Sequence, residues 1–366
     1  MEPMKRPVFL KPGADDFFLK LHREVQEKIL GNQTFRTYGI YKAWLLLALY
    51  FGCYAGILVF GDDTLLLYVF YSLTGMSMIV LFINSYHDAV HGSLFRKSKN
   101  NGHFTILLEV FGSNSWLWQK RHLTLHHPYP NIQHWDIDIK QSDIVRIFPE
   151  SHWSSYHKYQ HIYMWLIYPL YSLNWLYIRD FRDFFSRRDN YVRRMHAIPK
   201  TEIVKLIAAK LFNLFYLIGI PLIVLGQPWY LIVSGWLLMH VSGSILGVIP
   251  LISTHVDEHA HFPIAANDGA ISSSWAIHQM SVTKDFSAES PVANFLFGGF
   301  THHVAHHLFP GVAHTYYPEI TKVIRRYAAE YDLPYTNYPF YKAVLSHFKM
   351  LKHHGSRQHL FSSTEI

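Results

Sequence analysis

Residues 43–91 read AWLLLALYFGCYAGILVFGDDTLLLYVFYSLTGMSMIVLFINSYHDAVH. Two nearly continuous apolar runs, Ala43 to Phe60 and Leu65 to Ile83, each approach the roughly 20-residue length that crosses a bilayer as a helix. The acidic turn Gly61-Asp62-Asp63-Thr64 folds them into a hairpin, and the second run leads into His87-Asp88-Ala89-Val90-His91. A second pair of runs, Leu206 to Leu225 and Trp229 to Ser253, is joined by the uncharged Gly226-Gln227-Pro228. The expected fold is an all-α membrane protein with four transmembrane helices in two hairpins. Lys210, near one end of its run, is expected to snorkel toward the interface.

No Lys or Arg lies between Lys42 and Arg96, or between Lys210 and Lys284. Both hairpin tips thus lack positive charge, and the positive-inside rule puts them outside. Both termini and the basic stretch Arg179 to Arg194 then fall on the cytoplasmic side. The shorter apolar stretches Phe104 to Trp118, with Glu109 and Asn114, and Ile162 to Ile178, broken by Pro169, are expected to be embedded without spanning.

Composition agrees. The chain has 366 residues, 50% hydrophobic and 16% aromatic, which suits a lipid interface. Its one cysteine, Cys53, excludes an internal disulfide framework and a Cys-ligated iron–sulfur cluster within one chain. The formal charge of +7 fits an anionic membrane face, because the basic residues are not interleaved with base-stacking aromatics as in a nucleic-acid-binding module. Residues 1–40 carry charged stretches such as Lys20-Leu21-His22-Arg23-Glu24 and do not read as a signal peptide. Phe17, Phe18, Leu21, Val25 and Leu30 recur at helical spacing after a capping Asp15, and predict an amphipathic helix on the membrane surface. Further helices are predicted from Pro318 through Tyr327 and from Tyr338-Pro339 through Leu351, and complete the fold as a cytoplasmic helical cap that holds a His-rich dimetal site. No internal repeat or long linker interrupts the sequence, so residues 1–366 read as one domain: an interfacial region to 40, a core over 41–310 and a helical tail over 311–366.

Three histidine clusters flank the apolar runs: His87 and His91 in HDAVH, His122, His126 and His127 in HLTLHH, and His303, His306 and His307 in HVAHH. The topology brings all three to one face. On a helix His87 and His91 share a side, and so do His122 and His126, while His127 points about a quarter turn away, so that one helix feeds two metals. Eight imidazoles exceed one tetrahedral site, and two metals account for them better than one. Neutral imidazole suits Fe, Zn, Cu or Ni, and the near-absence of carboxylates at ligand spacing gives an almost all-imidazole site. His255, just past the last run, is a candidate ninth ligand.

Asp88 is the candidate to orient a ligand ring through its second nitrogen. Asp136, Asp138, Asp257 and Glu258 are weaker candidates for that role. His302 is expected to face away from the metals, and His240 to pair with another polar helix residue. His134, His259, His261, His278 and His314 have no motif spacing and read as surface or hydrogen-bonded residues. The basic run Arg179, Arg182, Arg187, Arg188, Arg193 and Arg194 can contact phosphates of a carrier or headgroup, although topology alone explains it.

The stretches His87 to His91, Arg121 to Asp138 (RHLTLHHPYPNIQHWDID) and Gly298 to Pro310 (GGFTHHVAHHLFP) resemble the three histidine boxes of the membrane fatty acid desaturases, bacterial acyl-lipid and linoleoyl-CoA types most of all. His255-Val256-Asp257-Glu258 and His314-Thr315-Tyr316-Tyr317-Pro318 match in kind and position. The third box often begins with Gln, and this chain has His303 there. The resemblance implies two Fe ions at the cytoplasmic face, held by the nine histidines, O2 as cosubstrate and a double bond introduced into a fatty acyl chain. The HPGG haem motif of fused relatives is absent, so the resemblance implies a separate electron donor, a ferredoxin or a cytochrome b5. Hydroxylation by the same centre is the near alternative. A metal transporter is a distant one, since it predicts ligands midway through the spans.

Overall fold

The computed structural model describes residues 5–9, 16–140, 142–186 and 191–356. Asp15, Arg187 and Arg188, singled out above, lie outside them. The chain forms two compact units, interleaved in sequence: Tyr38–Arg121 with Trp165–Ile249, and Met1–Thr37 with His122–Met164 and Pro250–Ile366.

Four helices are long and apolar enough to cross a membrane: α2 (Gln33–Phe60), α3 (Thr64–Val90), α5 (Lys200–Val224) and α6 (Trp229–Thr254). They lie chiefly in the unit that contains residues 38–121 and 165–249. Leu45, Val59, Leu211 and Ile223 on them are exposed, the surface that lipid solvates. Asp63 starts α3 by accepting a hydrogen bond from the Leu66 amide at 3.0 Å. The tips of the two hairpins are tied, because Asp62 accepts from the Gly226 amide at 3.0 Å. Where α3 crosses α6, a Cβ on Gly75 would overlap the Met239 carbonyl, and one on Gly243 would lie 2.8 Å from the Gly75 carbonyl oxygen. Only paired glycines allow the two backbones to come so close, as in other membrane helix crossings.

Lys210 does not snorkel. It is buried, and its Nζ donates to Asp180 Oδ2 at 2.8 Å and to the Gly112 carbonyl at 2.5 Å. A buried carboxylate within reach offers the ammonium a charge-assisted partner that the interface does not. Asp180 and Asp183 also hold Arg121, at 3.7 and 2.8 Å, and Asp183 lies 3.7 Å from the buried Arg179, which removes Arg179 from any phosphate-facing surface. His240 pairs with Ser172, Nδ1 to Oγ at 2.9 Å.

The two shorter apolar stretches form broken helices. Residues 98–121 fold as Ser98–Thr105, Leu107–Val110 and α4 (Ser115–Arg121), with Gly112 at φ 81° between the last two. Around Pro169 the second stretch passes through the 3-10 turn Tyr168–Leu170 and the π turn Trp175–Arg179. Between these segments and α3 lies an apolar pocket lined by Met78, Ile79, Phe82, Leu108, Phe111, Trp175 and Leu176, with Ser113 and Ser172 at its wall. The Phe82 ring also meets Trp118 at 5.0 Å, and Trp118 meets His87 at 6.0 Å.

The other unit is built on α1 (Asp16–Lys28), α7 (Trp275–Val282), α8 (His303–Leu308), α9 (Tyr317–Glu330) and α10 (Phe340–His354). Two short parallel pairings tie it together, Val8–Phe9 with Ala270–Ile271 and Asp285–Phe286 with Asn337–Tyr338. Helix α1 is amphipathic, but its apolar face does not lie on a membrane. Phe17, Leu21 and Val25 are buried in a protein core with Ile320, Ile324 and Leu308. Ends of polar side chains fix the same packing, with Lys20 Nζ donating to the Tyr331 hydroxyl at 2.9 Å and Tyr327 to Glu24 at 3.2 Å. An amphipathic stripe needs an apolar partner, and the stripe on α9 supplies one.

Candidate metal centre

The second histidine cluster sits on a π turn, His122–His126, in which the His127 amide donates to the His122 carbonyl five residues back at 3.0 Å. The wider turn changes which rings share a side. His127 returns over His122, Nε2 to Nε2 at 3.1 Å, while His126 points elsewhere. The α-helical reading paired His122 with His126 and is corrected here: His122 groups with His127. In the third cluster α8 is a regular helix, and His303 and His307, four apart, share one side while His306 takes another.

Two imidazole groups result within this unit. One ring nitrogen each of His126, His255, His303 and His307 lie within 4.8 Å of one another, and all four residues are buried. His122, His127 and His306 converge within the same limit. The groups are neighbours, with the His127 and His307 rings 4.6 Å apart. His87 and His91 stand at the end of α3 in the other unit, their rings 4.8 Å apart.

The outward nitrogen of each ring decides what the inward one can do. His126 Nδ1 meets both oxygens of Asp136 at 3.0 Å, and His122 Nδ1 meets Asp138 Oδ2 at 3.1 Å. His255 Nδ1 meets the Val282 carbonyl at 3.1 Å, and His307 Nδ1 meets Gln279 Oε1 at 2.8 Å. His306 Nδ1 donates to the Tyr317 hydroxyl at 3.2 Å, whose own proton goes to the Phe309 carbonyl at 3.3 Å. Each partner is an acceptor, so Nδ1 carries the proton and Nε2 keeps its lone pair. His307 Nε2 is buried without a hydrogen-bond partner. His303 Nε2 and His255 Nε2 lie 2.7 Å apart, a pairing that only a shared proton or cation satisfies. Burial also pushes the pKa of His122 down and those of His255, His303 and His307 well down, with neighbouring imidazoles adding to the shift for the last three. Neutral rings with inward lone pairs are the ligand form, so the residues fit a pair of imidazole-bound metal ions.

The orienting carboxylates are Asp136 and Asp138 for two of these rings. Asp88, the leading candidate from sequence, is buried and interacts electrostatically with Lys42. Asp257 pairs with Lys284, and Glu258 with Lys349 at 3.0 Å. The loop carrying Asp136 is wound around it: its carboxylate accepts from the amides of Asn131, Asp138 and Ile139 at 2.9, 3.1 and 3.2 Å. Asn131 adopts φ 59°, a left-handed conformation Asn tolerates, and its side-chain amide reaches the His255 and His261 carbonyls at 3.0 Å.

Helix α8 is held at its start by Asp285, which accepts from the Val304 amide at 2.9 Å and the Tyr335 hydroxyl at 2.7 Å. Burial pushes the Asp285 carboxyl up to about 7. Before it, Gly298 has φ 54°, and a Cβ on Gly299 would lie 2.7 Å from the Tyr317 ring, so glycine at 299 lets Tyr317 approach His306. His302 turns from the clusters to Thr321 Oγ1 at 3.0 Å, and His278 bonds the Pro130 carbonyl at 3.0 Å. His314 is buried, while His134, His259 and His261 are exposed. Gln279 and Tyr317 were not legible as orienting residues. Neither has a fixed sequence offset from a histidine box that would mark it.

Four helices long and apolar enough to span, together with two groups of buried imidazoles that could hold metal ions, define an all-α membrane protein with a histidine-rich centre. The chain belongs to the fatty acid desaturase family, whose profile matches residues 63–339. It is 28% identical over 296 residues to the sn-1 linoleoyl-lipid 6-desaturase of Arthrospira platensis, covering 80% of each chain. To the acyl-lipid (8-3)-desaturase of Physcomitrium patens it is 29% identical over 355 residues, 93% of this chain and 72% of the relative. The acyl-lipid (8-3)-desaturase of Mortierella alpina is 28% identical over 307 residues, 81% and 67%. Its reaction class is the desaturation of a fatty acyl chain.

Proposed function

We propose that this protein is an O2-dependent desaturase that introduces a double bond into an already unsaturated acyl chain esterified to a lipid, using two irons held at the cytoplasmic membrane face. The observation that carries the metal reading is the set of inward Nε2 lone pairs, above all the buried, unpartnered one of His307. His126, His255, His303 and His307 would hold one iron. His122, His127 and His306 would hold the other, and His87 and His91 enter the ligand set from the sequence motif. When bound, the irons supply the oxidising power, drawn from O2 and external electrons, that an unactivated methylene requires.

The chain's own residues do the rest. Acceptors at Nδ1 orient His122, His126, His255, His306 and His307, and burial excludes water and keeps the rings neutral. The apolar cavity beside Met78, Phe82 and Trp175 is of a kind that receives methylenes. The names of the Arthrospira and Physcomitrium relatives support a lipid-carried acyl substrate. A separate ferredoxin or cytochrome b5 would deliver the electrons, and residues 1–366 would act as one desaturase domain.

The test expresses the chain and its His306→Ala variant in a host supplied with linoleate, and identifies lipid-bound fatty acids by gas chromatography–mass spectrometry after double-bond derivatisation. A new polyunsaturated acid from the unmutated chain alone is expected. A hydroxy acid in its place would overturn desaturation, and full activity of His306→Ala would remove that ring from the ligand set.

A further inference from the structure

Gln279 lies on α7, fully buried, and touches two histidine boxes at once. Its Nε2 donates to the backbone carbonyl of His127 at 3.1 Å, and its Oε1 meets His307 Nδ1 at 2.8 Å. A carboxamide has one donor end and one acceptor end, and the His127 carbonyl can only accept. That carbonyl therefore fixes which way the amide points. Turning it round would set two carbonyl oxygens against each other at His127, a repulsion with no compensating bond there. The acceptor end consequently faces His307, whose Nδ1 must carry the proton, and the lone pair at Nε2 is left toward His126, His255 and His303. The Thr283 hydroxyl, bonded to the Gln279 carbonyl at 2.6 Å, adds a side-chain brace at the end of the same helix.

We propose that Gln279 is the positioning residue that selects the metal-binding tautomer of His307 and couples it to the backbone of the second box. It does for His307 what Asp136 does for His126, with a neutral group that adds no charge to the buried centre. A carboxylate there would confront the His127 carbonyl. The inference rests on the metal reading above.

The experiment uses the purified full chain in detergent, loaded with Fe(II), and reads iron per chain, Fe(II) affinity against a chromogenic chelator, and the Mössbauer spectrum. Gln279→Met keeps the length and apolar bulk of the side chain but neither hydrogen bond. It is expected to weaken the iron held with His307 about 10- to 100-fold, as loss of an orienting partner does elsewhere, and to disturb the signal of the iron held with His127 by less, since that ring loses only a contact to its backbone. Gln279→Glu, in its protonated form, restores both bonds and should hold two irons. The proposal is overturned if Gln279→Met binds both irons as tightly as the unmutated chain, or if Gln279→Glu loses as much as Gln279→Met. Should Gln279→Met not survive purification, Gln279→Asn, too short to reach either partner, is expected to show the same loss, and two tightly held irons there would equally overturn it. An unmutated chain that takes up no iron would overturn the metal reading itself, a separate outcome.

Discussion

Asp88 and Asp136 are both buried aspartates close in sequence to a histidine box. Asp88 interacts electrostatically with Lys42, and Asp136 is ringed by backbone amides and meets His126 with both oxygens. Spacing identified the imidazoles, since rings three, four or five apart on a helix must share a neighbourhood. It could not rank the aspartates, because the loop from Pro128 to Asp138 takes its shape partly from contacts far along the chain, those of Asn131 to the carbonyls of residues 255 and 261 among them. Asp136→Ala is expected to lower iron affinity about 10- to 100-fold by freeing the His126 ring, measured as iron retained per chain against a chelator. Unchanged retention would show that the ring is oriented by other means.

Among the elements, two depart from an ordinary helical reading. The π turn at 122–126 sorts three neighbouring rings into two groups, and no α-helical wheel yields that sorting. Helix α1 was legible as amphipathic from Phe17, Leu21 and Val25, but periodicity identifies an apolar face without naming what covers it. Here Ile320 and Ile324 of α9 share its core. Leu21, 1% exposed, therefore distinguishes the two placements. Leu21→Ala is expected to destabilise the detergent-solubilised protein by about 2–5 kcal/mol, as a core truncation does, seen as a lowered thermal midpoint. A helix lying free on the membrane would lose little.

Over the whole molecule, buried neutral histidines outside the metal groups set the acid limit. Burial pushes His278, His302 and His347 down to about 4 each. In the unfolded chain they titrate near 6.5, so above that pH neither state binds extra protons and stability is flat with respect to them. As pH falls from 6.5 toward 4 the unfolded state takes up protons that the folded state refuses, and stability is lost, by about 3 kcal/mol per group at pH 4. The thermal midpoint of metal-free protein should hold from pH 8 to 7 and fall steeply below 6.5; a midpoint flat to pH 4.5 would contradict the buried, neutral assignment.

The four apolar stretches, the two hairpins, the imidazole-rich chemistry and the family are legible in the residues without any coordinates. These follow from local hydrophobic length and from residue type at short spacing, which do not depend on partners far along the chain. Only the folded chain shows that Lys210 turns inward to Asp180, that α1 packs on protein, that Asp136 and Gln279 bond the His126 and His307 rings, and that His126 parts from His122. Each of those outcomes is a choice between competing partners for one polar or apolar group. Such choices are settled by which groups the fold brings within about 3 Å, the reach of a hydrogen bond.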